Sequence, residues 1–228
     1  MNRRILVAST NPGKVSEIRA MLGGEIEWVG LGDFPGIPEI EEDGQTFAEN
    51  ARKKATGYAK ATGLWTLADD SGLVIDALGG RPGVKSARFA GAMDKGRTFV
   101  TRASAPLARF NERRVTSDER RIIDRKNFEK VLELLQGVPR EKRSARFVCC
   151  LCLASPGKVL AETEGKLEGI IGEQPVGENG FGYDPIFFVP KLNKTVAQLA
   201  AGEKNAISHR GNAIRKLRPL LQEMLKGY

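Results

Sequence analysis

Leu67-Ala68-Asp69-Asp70-Ser71-Gly72-Leu73 sets two adjacent carboxylates and a hydroxyl between apolar runs, 65–68 before it and 73–75 after it. The pattern predicts a strand that reaches a polar turn and then resumes. Adjacent acids resist joint ionisation unless a counter-charge is present. A divalent cation meets that need, and Mg²⁺ takes one or two carboxylates together with substrate phosphates. A solvated acidic turn is the other reading that these residues allow by themselves.

The surrounding chain has 228 residues, 41% hydrophobic and 28% charged. That suits one α/β domain or two small lobes with a real core. No apolar run approaches the ~20 residues that span a bilayer. The short apolar stretch after Met1-Asn2-Arg3-Arg4 is too brief for a secretory signal, so no membrane partner is expected. Cys149, Cys150 and Cys152 lie in one apolar run with no second Cys/His cluster, which predicts buried strand thiols and a cytoplasmic protein. The net charge of +8 favours an anionic partner, and it is local. Residues 94–126 hold ten basic and five acidic residues, leaving the rest of the chain close to neutral.

Toward the N-terminus, residues 4–8 read as a strand that ends in Ser9-Thr10-Asn11-Pro12-Gly13-Lys14. Val15, Ile18 and Leu22 then repeat at helical spacing. Strand, small polar loop and helix bring free backbone N–H groups to an anion, and Lys14 adds a point charge for phosphate. Asn-Pro-Gly is also an ordinary turn. Thr46 and Glu49 have capping-box spacing before a helix that Gly63 ends. Its polar face carries Glu49, Asn50, Lys53 and Lys54, either as solvated i,i+4 pairs or as a surface that presents Asn50 and Lys54 to phosphates.

Toward the C-terminus, the basic segment lacks clear periodicity and reads as a mobile or partly helical insertion at about 93–120. Phe128, Val131, Leu132 and Leu135 restore an amphipathic helix. Residues 146–154 predict a central strand, and 158–171 its hairpin partner. Gly180-Phe181-Gly182-Tyr183-Asp184-Pro185 precedes another short apolar run. Lys204 and Ser208-His209-Arg210 lead into a final helix, which Pro219 is expected to kink or shorten.

Five separated segments together resemble the inosine triphosphate pyrophosphatases, also called dITP/XTP or non-standard purine NTP pyrophosphatases. They are Ser9-Thr10-Asn11-Pro12-Gly13-Lys14, Thr46-Phe47-Ala48-Glu49-Asn50-Ala51, Asp69-Asp70-Ser71-Gly72-Leu73, Phe181-Gly182-Tyr183-Asp184-Pro185 and Ile207-Ser208-His209-Arg210-Gly211. Their order and approximate spacing match along nearly the whole chain, apart from the basic insertion. The resemblance implies a single α/β domain of two lobes, with a long curved mixed sheet flanked by helices and a central cleft. It also implies a homodimer that cleaves ITP, dITP and XTP to the monophosphate and pyrophosphate with Mg²⁺. On the matching positions, Ser9, Thr10, Asn11, Pro12, Gly13 and Lys14 would hold the triphosphate. Glu41 and Asp70 would hold Mg²⁺, with Glu42 adjacent to Glu41. Asp70 would accept the proton of the attacking water, and Ser71 would touch substrate. Phe181, Gly182, Tyr183, Asp184, Lys204, His209 and Arg210 would form the base and sugar pocket.

The chemistry suits these residue types. A leaving pyrophosphate needs its charge neutralised, which Mg²⁺, Lys14 and Lys54 can supply. Phe181 offers a flat face to a purine. Donors on Lys204, His209 and Arg210 match a 6-keto oxygen and leave adenine's 6-amino group without an acceptor. His209 also has a plainer reading as a helix-start residue bonded to nearby backbone, Asp184 one as a turn residue, and Tyr183 one as core. A related pyrophosphatase with another base preference would keep the phosphate machinery and change the surroundings of Phe181 and His209. A nucleic-acid-binding module would use the basic segment, but that segment has only Phe99 and Phe110 for stacking and no recognisable motif, so no nucleic-acid partner is expected.

Overall fold

The structure is a computed structural model that describes residues 3–23, 26–93 and 116–226. Its frame is an open mixed sheet of seven strands in the order β2-β1-β3-β4-β5-β6-β7. The strands are β1 (Arg3–Ala8), β2 (Ile26–Gly30), β3 (Trp65–Ile75), β4 (Ser144–Ser155), β5 (Lys158–Ile171), β6 (Phe187–Val189) and β7 (Lys194–Thr195). β1 pairs in parallel with β2 and β3, and every later pairing is antiparallel. The parallel part needs crossovers, which α1 (Pro12–Leu22) and α2 (Phe47–Thr62) provide. The α/β class and mixed sheet implied by the sequence are what the structure has.

The expected break in the acidic stretch is absent. β3 runs unbroken through Asp69, Asp70 and Ser71, paired with β4 from Thr66 opposite Ala154 to Ile75 opposite Ala145. Cations reach both acids from outside the strand, so the ladder has no need to turn away toward solvent. Side-chain alternation then sends consecutive residues to opposite faces. Leu6, Ala68, Cys150 and Cys152 pack against Phe47, Ala51, Ala55 and Tyr58 of α2. Ile5, Val7, Leu67, Cys149 and Leu151 pack on the other face against Ile18 of α1 and Ala213, Ile214 and Leu217 of α6 (His209–Lys226). A third cluster, around Leu73, Phe147 and Phe187, is closed by Val131 of α4 (Ser117–Leu134) and by Leu135, its C-cap residue. All three cysteines are buried strand residues.

Three details differ from expectation. The helix α1 begins at Pro12, so the supposed loop residues Pro12, Gly13 and Lys14 are already helical. α6 does not end at Pro219 but continues through it, with Leu217 and Leu221 buried on either side. α4 begins at Ser117, capped by Thr116 and Glu119, so the end of the basic segment is regular helix. Most of the insertion expected at about 93–120 lies outside the described residues. The remaining helices are the short α3 (Phe89–Met93) and α5 (Ala201–Ile207). Among the described residues, no helix is long and apolar enough to cross a membrane.

Gly165 lets α6 lie directly on β5. A Cβ at this position would stand 2.1 Å from the carbonyl oxygen of His209 and 2.4 Å from the amide nitrogen of Ala213. These are backbone atoms and cannot swing away. Gly165→Ala is therefore expected to destabilise the protein by about 1–3 kcal/mol, the usual cost of overpacking. It should also displace His209 and Arg210. Urea unfolding measures the first effect, and an unchanged midpoint would show that the contact is softer than its geometry.

Candidate functional site

The pleat of β3 gives the two adjacent acids opposite surroundings. Asp69 points to the α1–α6 side. There it accepts from Arg210 Nε at 2.7 Å, from Lys14 Nζ at 2.5 Å and from the Ser71 hydroxyl at 2.9 Å. The Cys149 thiol donates at 3.1 Å to Asp69 Oδ2, the oxygen that also accepts from Arg210. Burial alone would raise the pKa of this carboxyl, but Arg210 and Lys14 overcome it and hold Asp69 well below the usual carboxylate range. Asp70 points to the α2 side. Asn50 Nδ2 donates to it at 3.2 Å, and Lys54 Nζ lies 3.4 Å from Oδ1. Here burial wins over Lys54 and Lys14, with Glu42 adding repulsion, and the Asp70 pKa rises to about 6.

Lys54 is the hinge of this end of the cleft. Its ammonium donates to the backbone oxygen of Asp69 at 2.7 Å and to Glu42 at 3.0 Å. Burial would lower its pKa, but Asp70 and Glu42 reverse this and keep it charged. The solvated reading of this face of α2 therefore fails for Asn50 and Lys54, which are both buried. Glu42 lines the same cleft, whereas Glu41 is exposed and lies outside its wall. Where the sequence left the choice between these neighbours open, the extended chain before α2 turns Glu42 inward. Among the described residues, no group of three or more His, Cys, Asp or Glu side chains converges as a metal cage. Two carboxylates in an open cleft still fit Mg²⁺, which completes its shell with water and substrate phosphates.

The expected cradle of free backbone N–H groups is largely occupied. Asn11 caps α1, accepting through its side chain from the amides of Gly13 and Lys14 at 3.0 and 3.3 Å. The Asn11 amide in turn donates to Ser9 Oγ at 3.2 Å. Anion contacts here must come from side chains and the helix dipole rather than from open amides. Ser9, Thr10, Asn11 and Lys14 line the cleft. Pro12 and Gly13 do not. A Cβ on Gly13 would lie 2.6 Å from Phe181, so this glycine makes room for the aromatic ring.

A second compartment opens beside the first, walled by Phe181, Gly182, Tyr183, Asp184, Lys204, His209 and Arg210. The fold thus gathers every residue of the expected base pocket. Lys204 Nζ sits 4.3 Å from the centre of the Phe181 ring. It donates to Asp184 at 2.6 Å and to Glu17 at 2.8 Å. Asp184 also accepts from the Phe181 amide at 2.9 Å, so its place before Pro185 is more than a turn. Tyr183 is buried and donates its hydroxyl to the Ser86 carbonyl at 2.7 Å. Each nitrogen of Arg210 already donates once, to Asp69, Glu17 and Ser71, so three of its five N–H groups are committed within the protein. His209 stacks on Phe147 with ring centres 4.8 Å apart. Burial, assisted by Arg210, drives its pKa well down, so the imidazole is neutral. Its Nδ1 is buried without a hydrogen-bond partner among the described residues, an orphan that a bound ligand could satisfy.

Glu17, Arg120 and Asp124 escaped the sequence reading. Glu17 is one helical turn beyond Lys14, a spacing that offers a weak signal in hindsight. Asp124 accepts from the Gly182 amide at 2.8 Å across a separation that no local pattern reveals.

A sequence model of the Ham1 family matches residues 5–220. A dITP/XTP pyrophosphatase of Shouchella clausii is 44% identical over 218 residues, covering 96% of each chain. The dITP/XTP pyrophosphatase of Bacillus subtilis is 43% identical over 223 residues, covering 96% of this chain and 98% of that one. The HAM1 protein of Coxiella burnetii superposes with a TM-score of 0.76 at 40% identity, over 97% of this chain and 99% of that one.

The two acids should part company on substitution. Asp69 is held ionised by partners that Asn cannot replace, so Asp69→Asn leaves Arg210 and Lys14 underpaired and is expected to cost about 3–5 kcal/mol. Its contribution is fully present at neutral pH and fades as pH falls below the carboxylate range. Asp70 is the reverse case. Its folded pKa of about 6 exceeds the 3.8 of an ordinary Asp, so its charge reduces stability progressively as pH rises between those values. Asp70→Asn should leave the unfolding midpoint at pH 7 unchanged or higher. Urea titrations of both variants at pH 5 and pH 7 measure this, and equal losses at pH 7 would contradict it.

Proposed function

The chain belongs to the Ham1 family, and we propose that it hydrolyses the non-standard purine triphosphates ITP, dITP and XTP to the monophosphate and pyrophosphate. The observation that carries the proposal is the pairing of compartments. A cleft lined by Lys14, Lys54, Arg88 and Arg120, with Glu42 and Asp70 among its carboxylates, runs into an aromatic pocket whose neutral His209 has a ring nitrogen without a partner among the described residues.

In this reading Asp70 orients the attacking water and takes its proton. A base with a pKa of about 6 is ionised at neutral pH yet still basic, as general-base catalysis requires. Lys14 and Lys54 meet the triphosphate, with Ser9, Thr10 and Asn11 supplying polar contacts. Glu42 and Asp70 would hold Mg²⁺, which when bound neutralises charge on the phosphates. Ser71 touches substrate near the α-phosphate. Lys204, fixed by Asp184 and Glu17, and His209 Nδ1 face the purine that lies by Phe181. A 6-keto oxygen accepts from such donors, whereas adenine's amino group sets donor against Lys204. A cytoplasmic homodimer belongs to the same proposal, and sedimentation equilibrium checks the dimer.

Pyrophosphate release with Mg²⁺ should favour ITP, dITP and XTP over ATP by at least about a hundredfold in kcat/KM, because a mismatched buried donor is costly. Equal rates across ITP, XTP, ATP, GTP and the pyrimidine triphosphates would reject the assignment. Asp70→Asn should lose about 10²–10⁴-fold in turnover. For the wild type, kcat/KM should fall on the acid side as Asp70 takes up a proton, at a pH below 6 because bound Mg²⁺ favours the carboxylate.

A further inference from the structure

The phosphate cleft and the base pocket share one wall, made of Asn11, Lys14, Ser71, Ala87 and Arg120. A nucleotide with its terminal phosphates in one compartment and its base in the other must set its sugar and α-phosphate against that wall. Two of the five residues are cationic. Lys14 is already engaged with Asp69 at 2.5 Å. Arg120 is half-buried, and among the described residues its side chain has no hydrogen bond or salt bridge; the charge it faces is Asp124, one helical turn away.

The helix that carries Arg120 is firmly placed. Asp124 Oδ2 accepts from the Gly182 amide at 2.8 Å, joining α4 to the loop of the base pocket. One turn further on, Asn127 accepts from the Ala90 amide at 2.8 Å and donates to the Ala87 carbonyl at 3.2 Å. Ala87 is itself part of the shared wall. Residues four apart lie on one side of a helix, so anchoring Asp124 also directs Arg120.

We propose that Arg120 is a substrate-binding residue that grips the α-phosphate where the two compartments meet, with Asp124 as its positioning residue. This rests on the reading that the cleft holds a purine nucleoside triphosphate. A guanidinium fork matches two phosphate oxygens at once, which an ammonium cannot do. Attack at the α-phosphorus builds charge on those oxygens, so a donor placed there strengthens as the reaction proceeds. Neither Arg120 nor Asp124 lies within the five motifs that carry the family resemblance.

The two products separate this role from a general effect of charge. IMP keeps the α-phosphate, and inorganic pyrophosphate carries the other two. Calorimetric titrations of IMP and of pyrophosphate into wild type, Arg120→Ala, Arg120→Lys and Asp124→Asn read the contact without turnover. Arg120→Ala should weaken IMP about tenfold and leave pyrophosphate within about twofold, since one charged hydrogen-bonded contact is worth roughly that factor. Arg120→Lys should recover only part of the loss. Asp124→Asn should weaken IMP in the same direction, with its unfolding midpoint measured alongside. IMP affinity unchanged by Arg120→Ala, or pyrophosphate weakened as much as IMP, would overturn the assignment to the α-phosphate. A wild type that binds IMP while the variant binds it equally well sinks this inference alone. A wild type that binds neither product sinks the functional reading together with it.

Discussion

The ion pair between Asp69 and Arg210 ties the molecule together. Both groups are almost wholly buried, and each would be costly there without the other. Lys14 adds α1 to the junction through Asp69, and Glu17 ties the same helix to both Arg210 and Lys204. One cluster of charges therefore holds a central strand and three helices in a single register. Helix α6 can approach closely enough to join it because Gly165 offers no side chain to keep it away.

This arrangement settles the problem posed by adjacent carboxylates. Two like charges side by side would raise each other's pKa, yet the pleat turns them to opposite faces of the sheet. Asp69 meets a surplus of cations and remains ionised. Asp70 meets one buried ammonium, a neighbouring glutamate and little water, so it titrates near 6. A structural acid and a poised acid thus occupy consecutive positions in one strand. Their difference arises from what the neighbouring helices bring, since the residues themselves are the same.

The polar groups of the base pocket are mostly committed before any ligand arrives. Arg210, Lys204 and Asp184 bond to one another's partners, and Phe181 rests against both Lys204 and the backbone at Gly13. Such groups need little reorganisation on binding, which is the condition under which electrostatic contacts are most effective. His209 differs from them in keeping a neutral ring and a nitrogen without a partner among the described residues.

Much of this was legible in the chain because it depends on local pattern. Alternation and apolar runs marked β1, β4 and β5, capping spacing marked the start of α2, and the motif residues of the two compartments could be named in advance. Local pattern also misled, since Asp69-Asp70-Ser71 looks like a turn unless the distant cations are known, and it left open whether Asn50 and Lys54 are solvated or part of the site. By itself the sequence determined the residue types of the site, the α/β class and the family resemblance. Only the tertiary structure decided what holds Asp69 and Asp70 in different states, that Glu42 rather than Glu41 enters the cleft, that Arg210 is already paired, and that α4 contributes Arg120 and Asp124. Each of those depends on burial and on contacts between residues far apart in the chain, and burial is what converts identical side chains into groups of different charge and reach.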